Sequence, residues 1–445
     1  MPEMTSVSKI NQLPHEILAL IFATGLRDLS SGAHRPILAL ICSICRHWRD
    51  VTIGASELWT TIHISSERHL PAAQAFLERS KDRLIDVIVE GLYAPEQIYS
   101  PTIAREVAMI TAVTAPHIFR ARTLTMTLPN LNIYNVFSEA YRSISATNLA
   151  SLSIRLANDL WPFPGYPPLF ENTKFLCHFD TQGNFLTVVP SRADLTTLEL
   201  SNYSPTHVDI QNLFNASPRL ETLILHGFDR DELLDRANED DGAPITITAP
   251  TTLKSLAVSV CYRHSNGMCG CVLDKLCIPN LEYLELVGAT IDLNVHFREL
   301  AKLQTLRLQH CRITSADQFF LSLKELRRLE LADMSPVLDI RHLTGISTES
   351  PSSPSFPHLS SVLFSTKREY MESPYRLLQL AEHCVAAGCP RFTLEVDKGR
   401  SEEFLNAIES CIRDGRVCIR ERECSGGLIK PNMTGLEGDF FWDYV

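Results

Sequence analysis

The sequence predicts an α/β chain in which a short helical module leads into a solenoid of parallel strands. Three observations predict it. The stretch INQLPHEILALIFATG, residues 10–25, is apolar on more than one helical face. A motif L-x-x-L-x-L, or a close variant, recurs from Leu149 to Phe364. Its starts are separated by 46, 25, 33, 28, 22, 23 and 33 residues, so the units are far smaller than domains.

The helical module comes first. Pro14 suits a first helical turn, where its missing N–H costs nothing. Glu16 adds a negative charge where the helix dipole favours it. Leu13, Ile17, Leu20 and Ile21 form one apolar stripe at helical spacing, and Leu18, Ala19 and Phe22 form a second beside it. A helix packed on one neighbour needs a single stripe. Two stripes call for two neighbours, and one of these is expected to be another protein. A second helical pattern runs from His34 to Thr52, with Ile37, Leu40, Ile41, Ile44, Trp48 and Val51 in phase and Leu38, Cys42 and Cys45 widening the stripe.

These residues resemble a known family. L-P-x-E-x-L, then I-F, then C-R-x-W-R, then L-W is the pattern of an F-box. It reads here Leu13-Pro14-His15-Glu16-Ile17-Leu18, Ile21-Phe22, Cys45-Arg46-His47-Trp48-Arg49 and Leu58-Trp59. The order and spacing are most similar to the F-box-like proteins of mushroom-forming fungi. The resemblance implies a three-helix F-box domain over residues 9–60 that binds the Skp-type adaptor of cullin-RING ubiquitin ligases. It further implies adaptor-facing roles for Leu13, Pro14, Ile17, Leu18 and Phe22, with Ile44, Cys45 and Trp48 serving either the adaptor or the domain's own core. A module this small buries a poor fraction of its surface alone, so a covering partner is physically reasonable.

The body of the chain, residues 61–400, is expected to be the solenoid. Its early units are irregular. Trp59–Ile64, Leu84–Val89 and Arg122–Leu128 read as strands, and Leu70–Ser80 and Ile103–Val113 as helices. Ala73, Phe76 and Leu77 share one side of the first of these helices. The repeats proper follow: LASLSIRL, LTTLELSN, LETLILHG, LKSLAVSV, LEYLELVG, LQTLRLQH, LRRLELAD and LSSVLFST. The gap of 46 is twice 23, so a degraded unit is expected around Phe170–Phe179. This motif at this period is that of leucine-rich repeats, which stack into a horseshoe. The last two leucines alternate and point inward from a short strand, while the first fills the same core from the preceding turn. Pro218, Pro279 and Pro357 each precede a motif by two residues and set up that turn. The positions between the inward leucines, Glu199, Ile224, Ala257, Glu285, Arg307 and Glu330, are expected to face outward toward a protein target. Phe392–Val396 reads as a late strand and Glu402–Ile412 as a helix. Residues 401–445, ending in GLEGDFFWDYV, are expected to cap the array.

Two inserts interrupt the repeats, near residues 229–250 and 347–357. The first opens with DRDELLDRANEDD, seven acids against two arginines, which reads as a solvated loop or a docking site for a basic partner. The second, STESPSSPSFP, cannot build a core; Ser350 and Ser353 precede prolines and would suit proline-directed phosphorylation.

Composition narrows the function classes. The 445 residues carry a formal charge of −11 with no dense basic cluster, which argues against nonspecific nucleic-acid binding. The longest apolar stretch, Ile37–Cys45, is far short of the ~20 residues a membrane span needs. The first residues, MPEMTSVSKI, lack a signal-peptide core, and the thirteen cysteines are odd in number and scattered; both place the chain in the cytosol or nucleus with free thiols. No P-loop, G-x-G-x-x-G or G-x-S-x-G pattern occurs. Cys261, His264, Cys269, Cys271 and Cys277 offer zinc-type ligands, but C-x₂-H-x₄-C-x-C is not a usual zinc spacing. The expectation is a non-catalytic substrate receptor of a Skp–cullin–F-box ligase, without cofactor, metal, membrane or nucleic acid. An interaction scaffold outside any ligase, and a metal-binding protein using the Cys261–Cys277 region, are the alternatives.

Overall fold

A computed structural model describes residues 9–27, 29, 31–92, 101–156, 168–182, 194–201, 207–228, 246–260, 276–288, 290–292, 300–315, 317–332, 358–365, 392–397, 417–422 and 428. The chain is mixed α/β and divides into two compact units, Met1–Asp194 and Leu195–Val445. In each, the main strands lie parallel and follow one another in chain order.

The first unit opens with three helices, α1 (His15–Arg27), α2 (Ser31–Ile44) and α3 (Arg46–Gly54), then a 3₁₀ turn at Ser56–Trp59 and β1 (Thr61–Ile64). The pattern read as one helix from His34 to Thr52 is broken at Cys45. Its backbone is extended, with φ −156° and ψ 168°, and its Sγ accepts the Trp48 N–H at 3.4 Å. Of the residues in phase across the break, Ile41 and Val51 are buried while Leu40 and Ile44 are exposed. Next come α4 (Leu70–Arg79), β2 (Ile85–Val89), α5 (Pro101–Thr114), β3 (Ala121–Leu128), α6 (Leu131–Tyr141), β4 (Ser151–Leu156) and β5 (His178–Gln182). β1 to β5 pair in series, each parallel to the last.

The strands and helices read in this stretch are present, and α4 buries Leu70, Ala73, Phe76 and Leu77 as its spacing requires. α6 escaped the sequence reading. Its signals were there: Asn130 caps it through the Ile133 N–H at 3.1 Å, and Ile133, Tyr134, Phe137 and Tyr141 line its inner face. Tyr141 stacks on Phe170 at 5.9 Å and shares a 2.6 Å hydrogen bond with Thr114 Oγ1. Arg120 is buried and ties the end of α4 to β3, donating to Leu77 O at 2.8 Å, Arg83 O at 3.0 Å and Ser80 Oγ at 3.0 Å. A cation there also complements the helix C-terminus.

The second unit holds β6 (Thr197–Ser201), α7 (His207–Ala216), β7 (Thr222–Phe228), β8 (Ile247–Thr248), β9 (Ser255–Val260), β10 (Leu276–Cys277), β11 (Tyr283–Val287), β12 (Thr290–Asp292), β13 (Thr305–Gln309), β14 (Arg312–Ser315), α8 (Asp317–Ser322), β15 (Arg328–Ala332), β16 (Ser361–Ser365), β17 (Phe392–Asp397) and β18 (Val417–Arg422). β6, β7, β9, β11, β13, β15, β16, β17 and β18 form one parallel ladder. The pairs β8–β10 and β12–β14 stand apart from it.

The ladder register aligns the motif leucines into rows. Leu198, Leu223, Leu256, Leu284, Leu306, Leu329 and Val362 are successive partners, and all are buried. The first leucines, Leu195, Leu220, Leu253, Leu281, Leu303, Leu326 and Leu359, are buried too. Six sites show how. Leu220, Leu253, Leu281, Leu303 and Leu326 each close a turn by donating to the carbonyl three residues back, and Leu176 does the same in the first unit. The next carbonyls then join neighbours: Lys254 O accepts from both Glu282 N and Tyr283 N, and Glu282 O from Gln304 N and Thr305 N. The same linkage recurs from Thr196 to Arg327, so each of these units satisfies its predecessor's backbone.

The degraded unit expected near Phe170–Phe179 resolves as Leu176-Cys177-His178-Phe179-Asp180-Thr181, with Phe179 opposite Leu152. β18 continues the ladder into the segment expected to cap it. The inserts over residues 229–245 and 347–357, the helix read over residues 402–412 and the aromatic C-terminus lie outside the described residues.

Candidate docking face on the helical module

α1 carries the two stripes read from its sequence. Pro14 stands just before it, and its carbonyl accepts the Ile17 and Leu18 N–H groups at 3.1 Å each. Leu18, Ala19, Phe22 and Leu26 form the inner stripe. Leu18 is 0% and Phe22 6% exposed, and Phe22 packs on Trp48 with ring centroids 5.0 Å apart. In the chain by itself these two are core residues, with Trp48 of α3 lying against Phe22, so neither belongs to its exposed surface. The other stripe faces solvent. Ile17, Leu20 and Ile21 are 43%, 56% and 45% exposed, and spacing puts them on one side of α1.

α2 and α3 repeat the arrangement. Leu38 and Ile41 of α2 and Val51 of α3 point inward, while Leu40, Ile44 and Ile53 are 59%, 53% and 41% exposed. Of the twelve large apolar side chains exposed among the described residues, eight lie between Ile10 and Ile53. Scattered exposed leucines need no explanation, but such a concentration on one small module does.

The remaining expected site residues divide. Pro14, Ile17 and Ile44 are exposed; Leu13, Cys45 and Trp48 are half-buried. Cys45 has a structural task as the α3 cap. Leu20, Ile21, Leu40 and Ile53 were not singled out as adaptor-facing, although Leu20 and Ile21 already stood in the outer stripe. Burial raises the Cys42 thiol pKa, against the lowering effects of Arg79, a hydrogen bond from Thr52 and Arg49. The module is anchored behind by Trp59, which donates to Thr52 O at 2.8 Å, meets Phe76 edge-on at 4.8 Å and takes Arg79 over its ring at 4.4 Å.

The strand positions expected to face a target are not open. Glu199, Ile224, Ala257, Glu285, Arg307 and Glu330 do occupy the side opposite the leucines, yet all are buried. The polar and charged groups partner one another across the ladder. Glu199 meets His226 at 3.1 Å; Arg307 lies 3.2 Å from Glu285 and 2.7 Å from Glu330; Arg328 reaches Glu330 at 2.5 Å and Glu395 at 2.9 Å. Burial opposes the Arg307 charge, but its hydrogen bond to Glu330 and the nearby Glu285 outweigh it, and the pKa is raised. Burial, then the charge of Glu285, raises the Tyr283 phenol well above its ordinary range.

Of the zinc-type residues, Cys261, His264, Cys269 and Cys271 lie outside the described residues, and Cys277 sits in β10. Among the described residues no cluster of three or more His, Cys, Asp or Glu is placed to hold a metal. No described helix is long and apolar enough to cross a membrane. No protein-family model matches the chain, and no curated protein matches it.

Proposed function

We propose that the chain is the substrate-recognition subunit of a Skp–cullin–F-box ubiquitin ligase, an F-box followed by a leucine-rich-repeat solenoid. The observation that carries this reading is the set of exposed apolar side chains on α1–α3. Its six half-exposed side chains would each contribute about 1 kcal/mol when covered, before association costs are subtracted. The resemblance of Leu13–Leu18, Cys45–Arg49 and Leu58–Trp59 to an F-box pattern supports a Skp-type adaptor as the occupant. The aligned leucine rows and the recurring turn support a stacked repeat array. The chain itself would break no bond. It would hold a protein target near ubiquitin carried by another subunit, raising the effective concentration of an acceptor lysine.

Co-purification tests the reading. The tagged wild-type chain should retain an adaptor and a cullin from a eukaryotic lysate. The pair Ile17→Asp and Leu20→Asp should lose both while still melting cooperatively, since neither side chain is in the core. Retention of the adaptor without a cullin would point to a scaffold outside the ligase. Equal retention by wild type and variant would remove the docking role from this face.

A further inference from the structure

The buried strand face has an occupant from the same chain. Leu428 packs against Ile224, Ala257 and Val287, and its backbone N–H donates to Glu285 Oε2 at 2.6 Å. The register explains why it lies there. Ile224, Ala257 and Glu285 are successive partners across β7, β9 and β11, and Val287 follows Glu285 on the same side of β11. Along that row, from Glu199 through Ile224, Ala257, Glu285, Arg307 and Glu330 to Leu363 and Glu395, only Ala257 has no atom beyond Cβ. The ladder is therefore lowest at Ala257, a notch in which Leu428 packs against Ile224 and Val287 as well. Beside it, Glu285 accepts from Tyr283 at 2.9 Å and is paired with Arg307, which holds its carboxylate toward a backbone donor.

A leucine side chain in an apolar notch and a main-chain N–H on a fixed carboxylate are the two elements of peptide recognition: one gives side-chain selectivity, the other reads only backbone. Neither needs Leu428 in particular. We propose that the Ala257 notch and Glu285 form a binding site for a polypeptide segment bearing a leucine-like residue, and that Leu428 occupies it in cis, so a protein partner enters by displacing it. Tethered to the same chain, Leu428 competes at a roughly millimolar effective concentration. The site is thus closed to weak ligands and opens to strong ones. The inference does not depend on adaptor docking and survives its failure.

The test uses the full-length chain and a labelled peptide SGGLIKP, residues 425–431, followed by fluorescence anisotropy. The Leu428→Asp chain should bind the peptide saturably. Wild type should bind it at least tenfold more weakly, and the same peptide with aspartate for leucine should not bind. Adding Ala257→Leu to the Leu428→Asp chain fills the notch and should abolish binding. If the Leu428→Asp chain folds but binds nothing, or if wild type binds equally well, the proposal is wrong. It is equally wrong if Leu428→Asp unfolds the chain, because a displaceable occupant must be dispensable.

Discussion

Cys45 shows how one atom sets a local structure. Its sulfur is the side-chain acceptor that caps α3, and sulfur accepts weakly. An oxygen there caps better. The Cys45→Ser chain should exceed Cys45→Ala in urea-unfolding stability by about 1 kcal/mol. Equal stabilities would mean that the Trp48 contact contributes nothing. His117 makes a second prediction. Its Nδ1 lies 3.5 Å from the buried Arg120 guanidinium, and burial, then the Arg120 charge, lowers its pKa below the ordinary 6.5. The folded state thus takes up its proton less readily than the unfolded state. The sign follows: the contribution is fully present above pH 6.5 and is lost as pH falls toward the lowered value. The melting temperature should drop over that interval, and His117→Asn, which cannot titrate, should flatten the drop. At this scale the sequence was partly readable. Leu18 and Phe22 were seen as apolar, but which stripe faced inward depended on where α3 closed, and helical spacing does not carry that.

Among elements, the ladder was the most legible feature. L-x-x-L-x-L states both the strand and its inner face, and Leu306, buried in β13 between Leu284 and Leu329, is typical. Leu306→Ala should cost about 2–5 kcal/mol in denaturant unfolding, through lost transfer energy plus the cavity left behind. A loss below about 1 kcal/mol would show that the row is not closely packed. The unit at Leu176–Thr181 was located only by arithmetic on the gap, because Phe179 and Thr181 stand where the motif has leucines. α6 and α7 carry a different kind of signal, the cap at Asn130 and the in-phase Ile210, Leu213 and Phe214, all buried, which the strand motif does not contain. Strand alternation places Glu285 and Arg307 opposite the leucines, but it does not say whether that side is open, and both are buried. In a parallel ladder, opposite charges at matched register can satisfy one another, and the strand pairing that matches them is a tertiary fact.

In the molecule as a whole, the strand side and the helical module differ in kind. The strand face is filled by charge pairs and Leu428, whereas the outer side of α1–α3 keeps half-exposed aliphatic groups among the described residues. The first stripe of α1 announced this in the sequence: Ile17, Leu20 and Ile21 had no polar reason to be there. The central claim is that this side docks a second polypeptide, and calorimetric titration of a purified Skp-type adaptor into the full-length chain tests it most directly. We predict one-to-one binding with a negative heat-capacity change, and a loss of at least tenfold in affinity for Leu20→Asp. Absence of any binding, or an affinity indifferent to Leu20, would contradict it.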